Sequence, residues 1–344
     1  MRVFADIDPD TYDRIEETVT EGKYSDVNQF IRVAVENQLN IEESTGEGHA
    51  PPQAEQEATS KSEGGYSWGY SLPDNPPVSS PSDMDRENEL LFQQYYRFFP
   101  LVPVMVELAK ETEKKSEPVV LNEFRDHVAE TIDPLRDAIV DWEERNDVKK
   151  KNRKSTGLPK RDVKNPDYSM KRYLDHFVGK IRKRDLEPKS FLHSLGFVSY
   201  DPVDEEKTFI QLTSAGERFL RQGNPLLLEG PDSPALGADE QEFIVTHIES
   251  TLHAEYRLME FVYDTIATNG NNTYTNRLDD FTEYLVENSN FDDDASEERI
   301  RSHISGALSR MVELGILDRG SKRGVYLPST PPERIVNDQA TAST

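Results

Sequence analysis

The chain has 344 residues, of which 35% are hydrophobic and 31% charged, and it carries a formal net charge of −25 with a sequence pI near 4.7. This composition allows two or three small domains with modest cores. The absence of cysteine excludes disulfides, thiolate catalysis and cysteine zinc sites, and because no signal peptide or membrane-length apolar run is found, we expect a cytoplasmic protein without membrane contact.

The first elements of the chain predict a strand and two helices. Residues 2–7 alternate in polarity, as a half-buried β-strand does. The outward face of this strand carries Arg2, Phe4 and Asp6. One amphipathic helix is predicted after Pro9 and a second from the N-cap Ser25. Since a lone strand cannot satisfy its own backbone, we expect residues 1–43 to form an intertwined homodimer.

This unit, with its turn at 22–25 and its Ile31-Arg32 pair, resembles the ribbon-helix-helix family of DNA-binding proteins, of the MetJ and Arc type. In that family the paired strands enter the major groove, and the amino end of the second helix holds a phosphate. The resemblance implies base contacts from the outward strand residues and phosphate contacts from Lys23 and Ser25.

Two features of this unit depart from the family pattern. Asp6 is acidic where a donor is usual, and a carboxylate can only accept a hydrogen bond, as from a cytosine amino group. Residues 1–43 also carry 4 basic and 11 acidic side chains, a net charge of 4 − 11 = −7. The alternative is a ribbon-helix-helix used only to dimerise or to grip a partner.

The acidity of the whole chain bears on its partners. Excess Asp and Glu, no Cys and few large apolar residues together resemble the halophilic proteins of haloarchaea. At about 1 M salt the Debye length is roughly 3 Å, so surface carboxylates hardly repel DNA. Under that premise net charge does not argue against double-stranded DNA as a partner.

Residues 44–87 are rich in Ser, Gly, Pro and Glu and predict a disordered linker. Within it, residues 64–70 hold three aromatic side chains, which a pure spacer does not need. They form either a docking motif for a protein partner or a cluster of aromatic residues without a function.

Residues 88–230 predict a helical, winged-helix-like domain. Its first helical stretch, Leu90–Ala109, is interrupted by Pro100 and Pro103. Its later elements are predicted as a helix end at 191–195, a hairpin of 197–200 with 208–212, and a helix at 214–222. Residues 119–146 supply more helix than a winged helix needs.

A basic segment, residues 145–189, lies inside this domain. It holds 16 basic and 6 acidic side chains, a net charge of +10, so the rest of the chain sums to −25 − 10 = −35. We predict a basic loop followed by a helix with one basic face, the usual electrostatic footprint of phosphate contact. The candidate contacts are Lys149, Lys150, Lys151, Arg153, Lys154, Arg172, Lys180 and Lys183, with His176 on the same face. The alternative is a solvated basic face that pairs with acidic regions of the protein. The turn of the predicted hairpin, residues 201–206, is the first wing of the winged-helix fold, and its acidic residues favour this alternative.

Residues 238–330 predict a second winged-helix domain, followed by a disordered tail at 331–344. Its predicted elements are a long amphipathic run at 242–267, helices at 278–288 and 297–314, and strands at 316–319 and 325–327. The candidate DNA contacts lie on the outward face of the last helix and at the turn between the two strands, which is the wing tip of the fold. They are Arg299, Arg301, Ser302, Ser305, Arg310, Lys322 and Arg323, with Gly306 and Ser309 on the same outward face. The alternative is an ordinary exposed helix.

Enzyme signatures are absent from the sequence. It has no glycine-rich phosphate loop and no His-Glu-x-x-His motif, and its seven histidines are scattered. We therefore expect no catalytic residue, no cofactor and no metal site.

The predicted fold class is mainly α with short β, a ribbon-helix-helix dimer unit plus winged-helix-like domains. The predicted function is a sequence-specific, homodimeric DNA-binding regulator of transcription, similar in layout to the long haloarchaeal regulators of cell-division genes. The alternative is a non-enzymatic assembly or replication adaptor, in which the winged helices bind protein and the N-terminal unit only dimerises.

Overall fold

A mainly helical arrangement with short antiparallel strands is found, as the sequence predicts. The computed structural model describes residues 72–74, 76–79, 88–182, 186–203, 207–269, 283–285, 287, 296–320 and 325–329. The predictions for the N-terminal unit, the aromatic residues of 64–70, most of the helix at 278–288, the tail, and Lys183, Lys322 and Arg323 lie outside these residues. None of the described helices has the length and apolar character needed to cross a membrane.

The stretch predicted as helical at 90–109 forms a helix only from Leu101 onwards, directly after a proline. Helix α1 covers Leu101–Lys115, and Pro100 and Pro103 fall at its cap and first turn, where a missing N–H costs little. Strand β1, Val119–Val120, leads into the 25-residue helix α2, Leu121–Arg145.

The largest described sheet has three antiparallel strands. Strands β4, Val198–Pro202, and β5, Thr208–Leu212, form the predicted hairpin, and β1 pairs with the other edge of β5 to give the order β1-β5-β4. The short β1 was not predicted, because two residues carry no periodicity.

The basic segment folds differently from the prediction of one continuous basic helix. Helix α3 covers Pro166–Tyr173 and continues into a single π-helical turn, Leu174–Val178. Gly179 ends it at φ 110°, a left-handed conformation that favours glycine. Lys180 therefore lies in strand β2, Lys180–Arg182, paired with β3, Glu187–Lys189, and does not share a helix face with Arg172.

Further helices follow α3 along the described chain, up to Asn269. They are α4, Phe191–Ser194; α5, Ser214–Leu220; α6, Pro225–Glu229; α7, Ala238–Thr251; and α8, His253–Asn269. The run at 242–267 was predicted as one helix but is broken at Leu252, whose backbone leaves the helical region at ψ 61°.

The predicted last helix and second hairpin are confirmed to within a residue. Helix α9 covers Glu297–Glu313, and the Arg299 backbone N–H donates to the hydroxyl of its N-cap, Ser296. Strands β6, Leu317–Arg319, and β7, Tyr326–Pro328, then pair antiparallel.

The buried apolar side chains form one core that runs from Leu91 to Leu317. The stretches predicted as separate domains therefore share a core where the structure describes them. Two carboxylates connect them further, because they accept backbone N–H groups of the segment before α1. Glu255 of α8 accepts from Leu91 at 3.0 Å, and Glu313 of α9 accepts from Phe98 at 2.5 Å.

Part of the predicted linker lies against the first sheet. The Ser79 N–H donates to the Leu212 carbonyl at 2.8 Å, and the Ser79 and Ser199 hydroxyls lie 2.7 Å apart. Arg221 donates to the carbonyls of Pro73 and Asp74 at 3.0 and 2.6 Å. The prediction of a disordered linker is thus wrong for the described residues between 72 and 79.

Candidate nucleic-acid interface

The loop after α2 begins with outward-facing cations. Lys149 and Lys150 are exposed and Lys151 is half-buried, with Lys150–Asn152 forming one 3-10 turn. An exposed lysine run on a short turn is accessible to a phosphate backbone from the solvent.

The same loop then turns inward at Lys154. Its ammonium donates to the carbonyls of Pro231 and Ser233 at 2.7 and 2.6 Å and lies 4.5 Å from the centre of the Trp142 ring. Burial lowers the pKa of Lys154, with nearby carboxylates opposing the shift. Lys154 therefore holds the loop against the protein, although the sequence predicted it as a phosphate contact.

Arg153 lines a cleft together with a residue for which the sequence predicts no role. Arg97, which precedes α1, and Arg153 line a cleft of about 230 Å³. The other lining residues are Asn152, Lys154, Pro234, Ala235, Leu236, Gln241 and Glu313. The only sequence signal for Arg97 was a lone cation within the apolar stretch 90–109.

The second hairpin is joined to the basic loop beside this cleft. A guanidinium NH group of Arg319, in β6, donates to the Lys151 carbonyl at 3.4 Å. Burial lowers the pKa of Arg319, and the nearby charge of Arg97 lowers it further. Cations from three distant parts of the chain thus converge at one place.

Most cations of the basic segment are exposed. Several also have partners: Arg161 donates to Asp133 at 2.5 Å, Lys180 to Asp175 at 3.2 Å, and the half-buried Arg172 to Gln94 at 3.3 Å. The exposed members are Arg145, Lys149, Lys150, Lys160, Arg161, Lys164, Lys171, Lys180 and Lys189.

Helix α9 presents only part of the face predicted to point outward. Arg299 is exposed, whereas Arg301, Ser302, Ser305 and Ser309 are half-buried. The placement of these residues is compatible with an accessible stripe along the helix.

The predicted outward positions of Arg310 and Gly306 are wrong. Arg310 is 1% exposed, and its guanidinium donates twice to Glu255, at 3.0 and 2.5 Å, and once to the Tyr95 carbonyl at 2.8 Å. A Cβ on Gly306 would lie 2.6 Å from the Gln93 carbonyl oxygen. Gly306 and Arg310 are four positions apart and therefore lie on the same face of α9, which packs on the segment before α1. Arg310 is a structural residue here.

His176 lies in the π-helical turn among aromatic rings. Its ring centre is 6.3 Å from that of Phe92 and 5.9 Å from that of Tyr95. Burial, with help from Arg172 and Lys180 and against Asp175, lowers the pKa of His176 to about 4. Burial near Arg310 and Arg299 likewise lowers the pKa of His303 to about 4.

These two histidines predict a loss of stability in mild acid. Because both folded pKa values lie below the unfolded value near 6.5, the unfolded state binds more protons, and stability falls as pH drops from about 6.5 towards 4. The double variant His176→Gln, His303→Gln should lose less of its unfolding free energy than wild type between pH 7.5 and pH 5, by about 2 kcal/mol for each histidine and about 4 kcal/mol in total. Urea unfolding at both pH values measures this difference. His253→Gln, at an exposed position, is the control, and equal losses in wild type and the double variant would contradict the prediction.

Within the described ranges, no group of three or more His, Asp or Glu side chains is arranged to hold a metal ion. No protein-family model, curated protein or solved structure matches this chain.

Proposed function

We propose that the protein is a sequence-specific DNA-binding regulator of transcription that acts as a homodimer. The observation that carries this proposal is the concentration of positive charge in residues 145–189, a net of +10 in a chain of net charge −25. Since affinity for DNA depends mainly on Lys and Arg near phosphates, this segment is the natural place for backbone contact. The outward residues of the N-terminal strand would supply base contacts.

The described geometry supports this role in two ways. Among the described residues of the segment, nine cations are exposed, so a duplex can approach them. In addition, the order α1-β1-α2 before the β4–β5 hairpin, with β1 joined to β5, is consistent with a winged helix. Helix α4 between them has only four residues, so in this proposal the basic loop contacts the backbone and α4 does not read bases.

The test is the salt dependence of DNA binding by the triple variant Lys149→Gln, Lys150→Gln, Lys151→Gln. Loss of these cations should weaken binding about equally on all DNA sequences and flatten the plot of log affinity against log salt by about 0.9 for each lost phosphate contact. Fluorescence anisotropy with a labelled duplex over a range of KCl concentrations measures the slope.

The matched control removes three lysines from α1. Lys110, Lys114 and Lys115 pair with Glu107, Glu111 and Glu123 on the helical surface, so changing them to Gln alters net charge equally and should leave the slope nearly unchanged. An equal change of slope in both variants would show that only net charge matters. It would contradict the assignment of phosphate contacts to this loop.

A second function, an assembly or replication adaptor, is favoured by the first wing. Asp201 is exposed, and Val203 beside it is 59% exposed. An acidic and apolar wing suits contact with protein better than contact with phosphate. In this alternative the N-terminal unit only dimerises, and the full chain has no preference for any DNA sequence.

A further inference from the structure

The cleft between Arg97 and Arg153 contains hydrogen-bond donors that the protein does not use. Among the described residues, the Arg97 guanidinium makes no hydrogen bond, and Arg153 uses only Nε, which donates to the Val148 carbonyl at 3.4 Å. A guanidinium carries five N–H donors, so most donors of these two half-buried side chains remain available to a ligand in the cleft. A ligand with several acceptor oxygens could bond both arginines at once.

The rest of the lining divides into a polar and an apolar wall. Asn152 adds an amide beside the arginines, and the Lys154 ammonium is fixed nearby by two carbonyls. The apolar wall is formed by Pro234, Ala235 and Leu236. This combination suits a ligand with an anionic group and an attached less polar part.

One acidic side chain also lines the cleft, but the protein already satisfies it. The carboxylate of Glu313 accepts the backbone N–H groups of Phe98 and Phe99 at 2.5 and 3.3 Å. Burial raises the pKa of Glu313 against the effect of Arg97 and these two donors. With three cations and at most one anion, the lining has a net charge of at least 3 − 1 = +2.

We propose that this cleft binds a phosphate group, with its oxygens accepting from the guanidinium groups of Arg97 and Arg153. Arginine forks match phosphate oxygens in pairs, and hydrogen bonds between charged partners are the strong ones. A volume of about 230 Å³ leaves space beside the phosphate for an attached group against Pro234–Leu236. This site goes beyond the proposed function, because it requires no DNA. A phosphate of the DNA backbone presents the same oxygens, so the test separates the two sources.

The test uses inorganic phosphate with the full-length protein. At a phosphate concentration ten times Kd, the thermal unfolding midpoint should rise by roughly 3 to 6 °C above that in KCl of equal ionic strength. Arg97→Gln and Arg153→Gln should each weaken phosphate binding at least about 10-fold, and Arg97→Lys, which keeps the charge but loses the fork, should recover only part. Lys164→Gln, an exposed cation of the basic segment outside the cleft, should bind phosphate as wild type does.

A competition experiment with DNA identifies the source of the phosphate. If a duplex displaces bound phosphate, the cleft holds the DNA backbone; if duplex and phosphate bind together, it holds a separate small ligand. The proposal is overturned if phosphate shifts the midpoint no more than matched KCl does. It is also overturned if both Gln variants, shown to be folded by circular dichroism, keep wild-type affinity for phosphate.

Discussion

Arg310→Met is expected to lower the free energy of unfolding by about 3 to 5 kcal/mol. The substitution leaves the Glu255 carboxylate buried without its cation, since the side chain of Glu255 is 0% exposed. It also removes the donor to the Tyr95 carbonyl and so loosens the segment before α1. Urea or guanidinium unfolding of the full chain, followed by circular dichroism, measures the loss.

Two further variants separate the charge effect from lost packing. The double variant Arg310→Met, Glu255→Gln removes the unpaired charge while the Gln oxygen can still accept from the Leu91 N–H, so it should be more stable than Arg310→Met alone. Ser309→Ala, next along the helix but half-buried, should change stability little. A cost for Arg310→Met no larger than that of Ser309→Ala would contradict the structural role of this ion pair.

Arg2→Ala is expected to lower affinity for the specific DNA site roughly 5-fold to 150-fold while leaving affinity for random DNA almost unchanged. Arg2 lies outside the described residues, and the expectation depends on the resemblance of residues 1–43 to the ribbon-helix-helix family. An arginine in the major groove can bond guanine at two atoms, and losing such a pair costs on the order of 1 to 3 kcal/mol. Competition binding with a selected site and with random DNA measures both affinities.

Lys23→Gln is the matched control for Arg2. Lys23 is implied to contact phosphate, so its loss should weaken binding equally on specific and random DNA. If Arg2→Ala behaves in the same way as Lys23→Gln, Arg2 is also a phosphate contact. If Arg2→Ala affects neither affinity, the adaptor function is favoured over the regulator.

Local signals in the sequence were enough to predict several elements of the fold. The cap at Ser296, the apolar spacing after it and the stop at Gly315 predict α9 and the hairpin that follows. The first hairpin follows in the same way from alternating residues on both sides of a polar turn. Gly179, by contrast, lies within a run whose cations keep helical spacing from Arg172 to Lys183, so the sequence predicts a helix where the chain forms a strand at Lys180.

The long-range contacts could not be predicted from the sequence. Arg310 has the composition of an exposed helix residue, and its burial depends on Glu255, 55 positions earlier, and on Tyr95, 215 positions earlier. The cleft likewise joins Arg97 to a loop that starts some fifty residues later. Periodicity identifies which face of an element is buried, but it does not identify the partner that covers a charged residue.

Chromatin occupancy mapping of the full-length protein in its native host tests the central claim most directly. A sequence-specific dimeric regulator should give a small number of sharp peaks that share a palindromic sequence, because the symmetry of a dimer is mirrored in its site. The Arg2→Ala variant should lose these peaks. Occupancy that is uniform along the chromosome, or peaks without any shared sequence, would contradict the proposed function.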